Sequence, residues 1–213
     1  MSSDPPSDAR SRPGEAGASA SDLNLVALLR MRGGPLLDAL ESHFPGSRDA
    51  AEASSSYAFA IAVELGLGRA NAELTREAAK LHDIGRIYVP AELLAKPSES
   101  RTPEEEARVA AHHEYGAQLA LGAGLPARVC EWIRLGSERY DGGGPDGLAG
   151  ETIPLQSRIS RGARACYAAL TAQSRGAEPQ PSPIEALRGA SGRELDPLVV
   201  DALGAILSRA RSD

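Results

Sequence analysis

The sequence predicts an all-α fold, and three observations lead to that prediction. Apolar residues recur at i, i+3 and i+4 in successive segments, which is the spacing of one helix face. Several segments begin at a helix-capping residue and end at a glycine or a proline. No segment shows the alternation of apolar and polar residues that marks a half-buried strand. With 213 residues, the chain is long enough for one ordinary domain and a small extension.

The chain changes character near residue 21. Residues 1–20 consist mainly of Ser, Pro, Gly, Ala and charged residues with almost nothing to bury, so we predict a disordered tail. Residues 21–47 contain two predicted short helices, SDLNLVALLRMR and GPLLDALESHF, which together form an N-terminal helical extension. Two alternatives are open for this extension, since it can pack on the domain or serve as a docking arm.

Residues 48–210 are predicted to form the main domain as a succession of helices. The segment AAEASSSYAFAIAVELGLG places Tyr57, Ile61 and Leu65 four residues apart and ends in glycines. The next predicted helix is AELTREAAKLHDIG. Both segments have the amphipathic pattern of helices that pack against a core.

The second half of the domain begins with a strong helix-start signal. Thr102 is the predicted N-cap of TPEEEARVAAHHEYGAQLALG, with Pro103 at the first position and Glu105 completing a capping box. A proline-rich linker is predicted at about 174–183, and Asp196 is the predicted cap of the last helix. The remaining predicted helices are PARVCEWIRLGSERY, LQSRISRGARACYAALTAQ and DPLVVDALGAILSRA.

Composition and charge exclude several classes of function. The formal net charge is −6 and there is no run of Lys or Arg, so neither a nucleic acid polymer nor an anionic membrane surface is expected as the partner. No apolar run is long enough to span a membrane, and no secretory signal is visible. Cys130 and Cys166 lie in no metal-binding spacing. We therefore expect a cytoplasmic protein with two buried, inert thiols.

The stretch LHDIGRIYVP, residues 81–90, carries the main candidate site. His82 directly precedes Asp83 near the predicted end of a helix. An imidazole and a carboxylate presented together can bind metal ions, which generate hydroxide and hold the oxygens of a phosphoryl group. A simpler interpretation also exists, because the helix dipole favours a His near a C-terminus and an Asp can cap the next turn.

Four stretches together resemble the HD-GYP family, a branch of the HD superfamily. They are HDIGRIYVP, HHEYG at 112–116, ERYDGGGPDGLAGETIPLQSRI at 138–159 and GRELDPLVVDAL at 192–203. Their order and approximate spacing match the family pattern over residues 49–208. The resemblance implies an HD-domain helical bundle of the HD-GYP type for residues 48–210. It also implies a relation to cyclic di-GMP phosphodiesterases that hold two or three metal ions, usually iron or manganese.

The resemblance also assigns roles to four residues by position. His82, Asp83 and His112 correspond to metal ligands, with Asp83 bridging, and Asp83 and Arg86 correspond to catalytic positions. Arg86 stands where the family has a Lys that contacts the substrate phosphate. Arg can hold a phosphate in a forked geometry, but it stays protonated and cannot shuttle a proton. A solvated salt-bridge partner is the other interpretation of Arg86.

Other positions that carry metal ligands in the family lack them here. Ala50 stands where the first His ligand is expected, and Gly136 and Ser137 replace a tandem His pair. Arg164 and Ala165 lie where a late Asp is expected, and the GYP triplet reads GGP. An inward-pointing Arg164 would oppose cation binding and favour an anion. Three remaining ligands can make a one-metal site, but they cannot easily hold two cations close together.

The other polar residues near these motifs have simpler expected roles. His113 should point about 100° away from His112 on a helix, which leaves it a surface or supporting position at most. His43 is expected to be exposed, and Glu138 and Asp141 are expected to cap the glycine-rich loop DGGGPDG. This loop lacks the GK[ST] ending of a P-loop. Solvated positions are expected for Arg134, Arg139 and Arg158.

These observations leave two functional hypotheses. In the first, the chain is a degenerate, non-catalytic regulatory module that binds a cyclic dinucleotide or a signalling protein. In the second, it is a residual metal-dependent phosphodiesterase or phosphohydrolase with one iron or manganese ion on His82, Asp83 and His112, and with Arg86 on the phosphate. The missing ligand positions favour the first hypothesis, although a fold alone does not fix a function.

Overall fold

The computed structural model describes residues 20–174 and 181–210, and within these ranges the fold is all-α, as predicted. The only β-type pairing in this part of the chain consists of two isolated bridges. None of its helices is both long and apolar enough to cross a membrane. The helices of the described ranges are α1 (Ala20–His43), α2 (Ser47–Glu64), α3 (Arg69–Lys80), α4 (Ala91–Ala95), α5 (Pro103–Ala110), α6 (His112–Gly122), α7 (Ala127–Arg134), α8 (Leu155–Ser174), α9 (Pro183–Ala190) and α10 (Pro197–Arg209).

Two large apolar clusters form most of the core. The first joins α1, α3, α6 and α7, and the second joins α2, α8, α9 and α10 with one face of α3. Leu81 and Ile84 belong to the first cluster and Ala79 belongs to the second. Residues 82 and 83 therefore lie between two buried residues of the first cluster, shortly after a residue of the second. Both cysteines are buried and free, as expected, and each cluster contains one.

The segment predicted as two short helices is the single helix α1, so that prediction was wrong. Gly33, Gly34 and Pro35, which indicated a break, lie inside the helix. Gly33 serves packing instead, because a Cβ there would come within 3.0 Å of a methyl carbon of Leu81. Close packing of α1 on the core outweighs the local helix-breaking preference of these residues.

The N-terminal extension packs on the domain and does not project from it. Val26 and Leu29 are buried in the same cluster as Leu81 and Ile84. The domain boundary placed before residue 48 stays a prediction. The predicted tail lies outside the described residues, except for Ala20, which begins α1. Most of the predicted linker also lies outside the described residues.

The helix predicted over the segment TPEEEARVAAHHEYGAQLALG is divided at Ala111 into α5 and α6. The predicted capping box is confirmed, since Thr102 Oγ1 accepts from the Glu105 amide at 3.3 Å and Glu105 Oε2 accepts from the Thr102 amide at 2.9 Å. The division makes His112 the first residue of α6. The short helices α4 and α9 were not predicted.

A 3₁₀ turn, Ile84–Tyr88, lies directly on the main chain of α6. A Cβ on Gly85 would come within 1.8 Å of the carbonyl oxygen of His112 and 2.4 Å of the amide nitrogen of Gly116. Only glycine fits at such a distance from another main chain. This contact between Gly85 and α6 brings the turn after Asp83 against the first residue of α6.

Candidate functional site

The candidate site is built around a turn that follows α3. This helix ends at Lys80, so His82 and Asp83 lie just beyond it and lead into the turn Ile84–Tyr88. The amides of Leu81 and His82 still donate to α3 carbonyls, which keeps this turn close to the helix axis. His82 and His112 are both buried.

The carboxylate of Asp83 is the centre of the site. Its Oδ2 lies 3.1 Å from His82 Nε2, and its Oδ1 lies 3.2 Å from His112 Nε2 and 3.1 Å from Arg86 Nε. The structure thus brings together all four residues that the sequence assigned to the site. Asp83 Oδ1, Arg86 Nε and His112 Nε2 are buried, and none of them makes a hydrogen bond of regular geometry. These short contacts therefore depart from regular hydrogen-bond geometry.

Hydrogen bonds to the main chain define which nitrogen of each histidine faces Asp83. His82 Nδ1 lies 2.6 Å from the Ala79 carbonyl oxygen, and His112 Nδ1 lies 2.5 Å from that of Val109. A carbonyl oxygen can only accept, so each Nδ1 carries a proton and donates it. The Nε2 atoms, which face the carboxylate, are therefore the nitrogens that can act as ligands.

Burial and charge act in opposite directions on the ionisation of this pair. Burial lowers the pKa of His82, and the charge of Asp83 opposes that shift. Burial also acts to raise the pKa of Asp83, but His82, His112 and Arg86 outweigh it and hold that pKa well below its ordinary value. Near pH 7 Asp83 is therefore a carboxylate.

Two histidines are more buried than a surface position allows, and for His113 the supporting position, the other one expected, remains. His113 is buried, with its ring centre 3.7 Å from that of His112, so a surface position was wrong. Burial, with His112 and Arg164 nearby, holds the pKa of His113 well below its ordinary value. His43 is half-buried at the end of α1, where its Nε2 lies 2.9 Å from the Val89 carbonyl oxygen. Long-range packing, which a local pattern does not show, accounts for both.

Arg164 points toward the polar side chains around Asp83. Its Nη2 donates to the Gly136 carbonyl oxygen at 2.5 Å, and its Nε is buried without a hydrogen-bond partner. Burial lowers the pKa of Arg164 to about 10, against the opposing charge of Asp83. The charge of Arg164 is also felt at His82 and His113. The position that holds an acid in the resembled family therefore holds a cation beside the Asp83 carboxylate.

Arg164 belongs to an arginine row on α8, which consists of Arg158, Arg161 and Arg164. Arg161 Nη1 donates to the Ser137 carbonyl oxygen at 2.9 Å, one residue after the carbonyl that Arg164 holds. Arg158 pairs with Asp196, so its expected solvated position was wrong. Sequence reasoning missed Arg161, although the three-residue spacing of the row was a visible signal for one helix face.

The glycine-rich loop uses its own acidic residues, as expected. Glu138 is buried and accepts from the amides of Asp146 and Leu148 at 2.8 and 3.1 Å. Asp141 accepts from the Gly143 amide and from the guanidinium of Arg139, which together hold the pKa of Asp141 well below its usual range. These two carboxylates order the loop and are not directed at Asp83.

The site meets one requirement of a metal ion and fails others. Metal–ligand bonds of about 2.0–2.2 Å place adjacent ligand atoms roughly 3.0–3.4 Å apart, which agrees with the contacts of Asp83. However, Arg86 lies on the same oxygen that faces His112, and Arg164 adds a second positive charge. Nowhere in residues 20–174 and 181–210 are three His, Cys, Asp or Glu side chains arranged to hold an ion. As folded, these residues do not fit a metal centre.

Comparison with known families and proteins gives consistent matches. A family model described as "HD domain" matches residues 36–197. The chain is 35% identical over 178 residues to the "Cyclic di-GMP phosphodiesterase response regulator RpfG" of Xanthomonas campestris pv. campestris, over 79% of this chain and 45% of that protein. It is 36% identical over 102 residues to "3'3'-cGAMP-specific phosphodiesterase 1" of Vibrio cholerae, over 46% of this chain and 23% of that protein. The chain thus spans less than half the length of these relatives.

Solved structures show the same fold. An HDG"Y"P protein from Bdellovibrio bacteriovorus superposes with a TM-score of 0.61 at 24% identity, over 76% of this chain and 52% of that one. The HD domain of the phosphodiesterase PgpH from L. monocytogenes, in complex with cyclic-di-AMP, gives a TM-score of 0.61 at 20% identity, over 83% and 96%. At these identities the likeness concerns the fold alone.

Proposed function

The chain belongs to the HD domain family, and from that premise we propose that it is a non-catalytic regulatory domain of the HD-GYP type. Its expected ligand is a cyclic dinucleotide, because the relatives it resembles are named as phosphodiesterases of cyclic di-GMP and 3'3'-cGAMP. Binding without hydrolysis would make it a sensor of such a nucleotide. A cytoplasmic location stays a prediction.

The environment of Asp83 is the observation that carries this proposal. Metal-dependent phosphodiesterases obtain hydroxide near neutral pH from water bound to an ion, because the ion lowers the pKa of that water. Here the carboxylate lies between two histidines and Arg86, with Arg164 in its field. A guanidinium stays protonated and offers no vacant coordination position, so it cannot generate the nucleophile. The site can hold a negative group, but it lacks the means to activate water.

A second candidate function has one observation in its favour. Both His82 and His112 hold their Nδ1 protons on main-chain carbonyls and direct Nε2 at Asp83, which is how metal-bound histidines are commonly oriented. This orientation supports a residual phosphohydrolase that uses His82, Asp83 and His112, with Arg86 on the phosphate. This function requires Arg86 to leave Asp83, because Arg86 and a metal ion would otherwise occupy the same carboxylate oxygen.

Turnover and binding assays on the same preparation test the proposal. Purified chain, prepared without oxygen and supplied with Fe²⁺ or Mn²⁺, would be incubated with cyclic di-GMP and with 3'3'-cGAMP beside Asp83→Ala. We expect no product above the level of the variant, and saturable binding of one nucleotide by calorimetry. Metal-dependent turnover that Asp83→Ala abolishes would contradict the proposal and select the second candidate.

Two further results separate the remaining possibilities. Equal metal content in wild type and His82→Ala, measured by elemental analysis, would exclude the residual hydrolase. If neither turnover nor nucleotide binding is observed, the expected partner would be a signalling protein and not a nucleotide.

A further inference from the structure

The charge balance of the site favours anions over cations. The charged groups that face one another here are one carboxylate, Asp83, and two guanidinium groups, Arg86 and Arg164. One negative and two positive charges leave the site with a net positive charge, which repels a divalent cation.

The arginines of α8 are held in place by residues 136 and 137, where the resembled family has a pair of histidines. Arg164 Nη2 donates to the carbonyl oxygen of Gly136, and Arg161 donates in the same way to Ser137. These bonds fix two arginines that lie one turn apart on α8 and define where the Arg164 side chain ends. A long side chain that is held at its tip is a fixed charge, since the hydrogen bond has already restricted its conformational freedom.

We infer that Arg86, which lies on the Asp83 carboxylate, and Arg164, which is fixed at the Gly136 carbonyl, together take the structural place of metal ions in this site. The domain therefore folds and keeps its site without metal. This inference rests on the proposed non-catalytic function and deepens it, because it names the group that replaces the ion. A single change at residue 164 should also restore a carboxylate position and with it an affinity for divalent cations.

The buried, poorly bonded atoms of the site explain why the charge at residue 164 matters. Asp83 Oδ1, Arg86 Nε and Arg164 Nε all lack hydrogen bonds of regular geometry, so their stabilisation comes mainly from mutual charge. A second carboxylate in the same buried setting as Asp83 would be repelled by it unless a cation lies between them. A carboxylate at residue 164 should therefore lower stability when no cation is present, whereas an apolar side chain there should cost little.

Thermal unfolding in EDTA and in Mn²⁺ tests the inference. Wild type should unfold at the same temperature in both solutions and contain no bound ion by elemental analysis. Arg164→Asp should unfold at a lower temperature in EDTA. It should recover roughly 5–10 °C when the Mn²⁺ concentration is about 100-fold above its dissociation constant. The double variant Arg164→Asp/Asp83→Ala should lose that recovery, since it lacks the central carboxylate.

Two controls separate charge from folding defects. Arg188→Asp, at an exposed position of α9, makes the same change in net charge and should show no response to Mn²⁺. Arg164→Met removes the charge without adding a carboxylate, so it should unfold near the wild-type temperature and show no response to Mn²⁺. If Arg164→Asp fails to fold, a wild-type unfolding temperature that is higher in Mn²⁺ than in EDTA would still overturn the inference.

The outcomes distinguish this inference from the proposed function. Metal-dependent turnover by wild type would overturn both. Stoichiometric metal in wild type without turnover would overturn the inference alone. A wild type without metal, combined with an Arg164→Asp variant that neither loses stability nor responds to Mn²⁺, would also overturn it and leave the proposed function intact.

Discussion

Arg158 of α8 pairs with Asp196, the capping residue of α10, and the two side chains are only 12% and 2% exposed. Asp196 also accepts from the amide of Leu198 at 2.8 Å, and Arg158 Nε donates to the carbonyl oxygen of Ile153 at 2.9 Å. Each charge is thus bonded to main chain and to the other charge. The pair joins the IPLQSRI stretch to the DPLVV stretch, so two motifs that are far apart in sequence form one contact.

Asp196→Asn should lower the free energy of unfolding by about 3 kcal/mol. Asparagine keeps the capping oxygen but removes the charge, which leaves the buried guanidinium of Arg158 without its partner. Urea unfolding followed by circular dichroism measures the loss. Arg209→Ala is the matched control, because its ion pair with Glu64 is 60% and 31% exposed and should contribute less than about 1 kcal/mol. Similar losses in the two variants would contradict the prediction.

Gly85→Ala should destabilise the domain by about 3 kcal/mol or more. The added methyl group meets main-chain atoms of α6, which cannot rotate away as a side chain would. Gly34→Ala provides the control, since a Cβ there meets nothing within 4 Å and a helical alanine should add about 0.5–1 kcal/mol of stability. The same urea titration measures both. A Gly85→Ala protein as stable as wild type would show that α6 can move away from the turn.

Glu138→Ala should release the glycine-rich loop without unfolding the bundle. The amides of Asp146 and Leu148 lose their acceptor, so their hydrogen exchange should accelerate by about 10-fold or more, equivalent to about 1.4 kcal/mol of local stability. Hydrogen exchange followed by mass spectrometry or NMR measures this. Glu151→Ala, at an exposed position near the loop, should leave both rates unchanged. Unchanged exchange in Glu138→Ala would mean that the loop is ordered by other contacts.

Leu29→Ala should cost about 2–5 kcal/mol, the usual range for a buried leucine. Met31 lies on the same helix but is 64% exposed, so Met31→Ala should change stability by less than about 0.5 kcal/mol. Chemical denaturation of both variants compares the two faces of α1. If α1 were a docking arm, the two substitutions would have equally small effects.

Local signals in the sequence predicted much of the fold. The capping box at Thr102 and Glu105 and the cap at Asp196 both have the predicted contacts, because a cap depends on residues three or fewer positions away. The resemblance of four motifs also assigned His82, Asp83, Arg86 and His112 to one site, and the structure brings these side chains together.

Features that depend on distant residues were not predictable from local pattern. The continuity of α1 through Gly33 depends on the side chain of Leu81, which lies 48 positions away. The burial of His113 depends on the packing around α6, and the partners of Arg161 lie 24 and 33 positions away. Periodicity does not describe such contacts, so the sequence indicated the positions of these residues along helices but not their partners.

The contact between Gly85 and α6 bears on how chains of this kind are found in genomes. The glycine of HDIG is required by main-chain packing, and a Cβ on the glycine four residues after His112 would lie only 3.3 Å from the Gly85 amide nitrogen, whatever chemistry surrounds them. A chain that has given up catalysis would still be selected to keep both letters, because their loss would cost the fold. A search for this motif therefore detects a scaffold and retrieves enzymes and former enzymes together. Only inspection of the individual ligand positions separates the two groups.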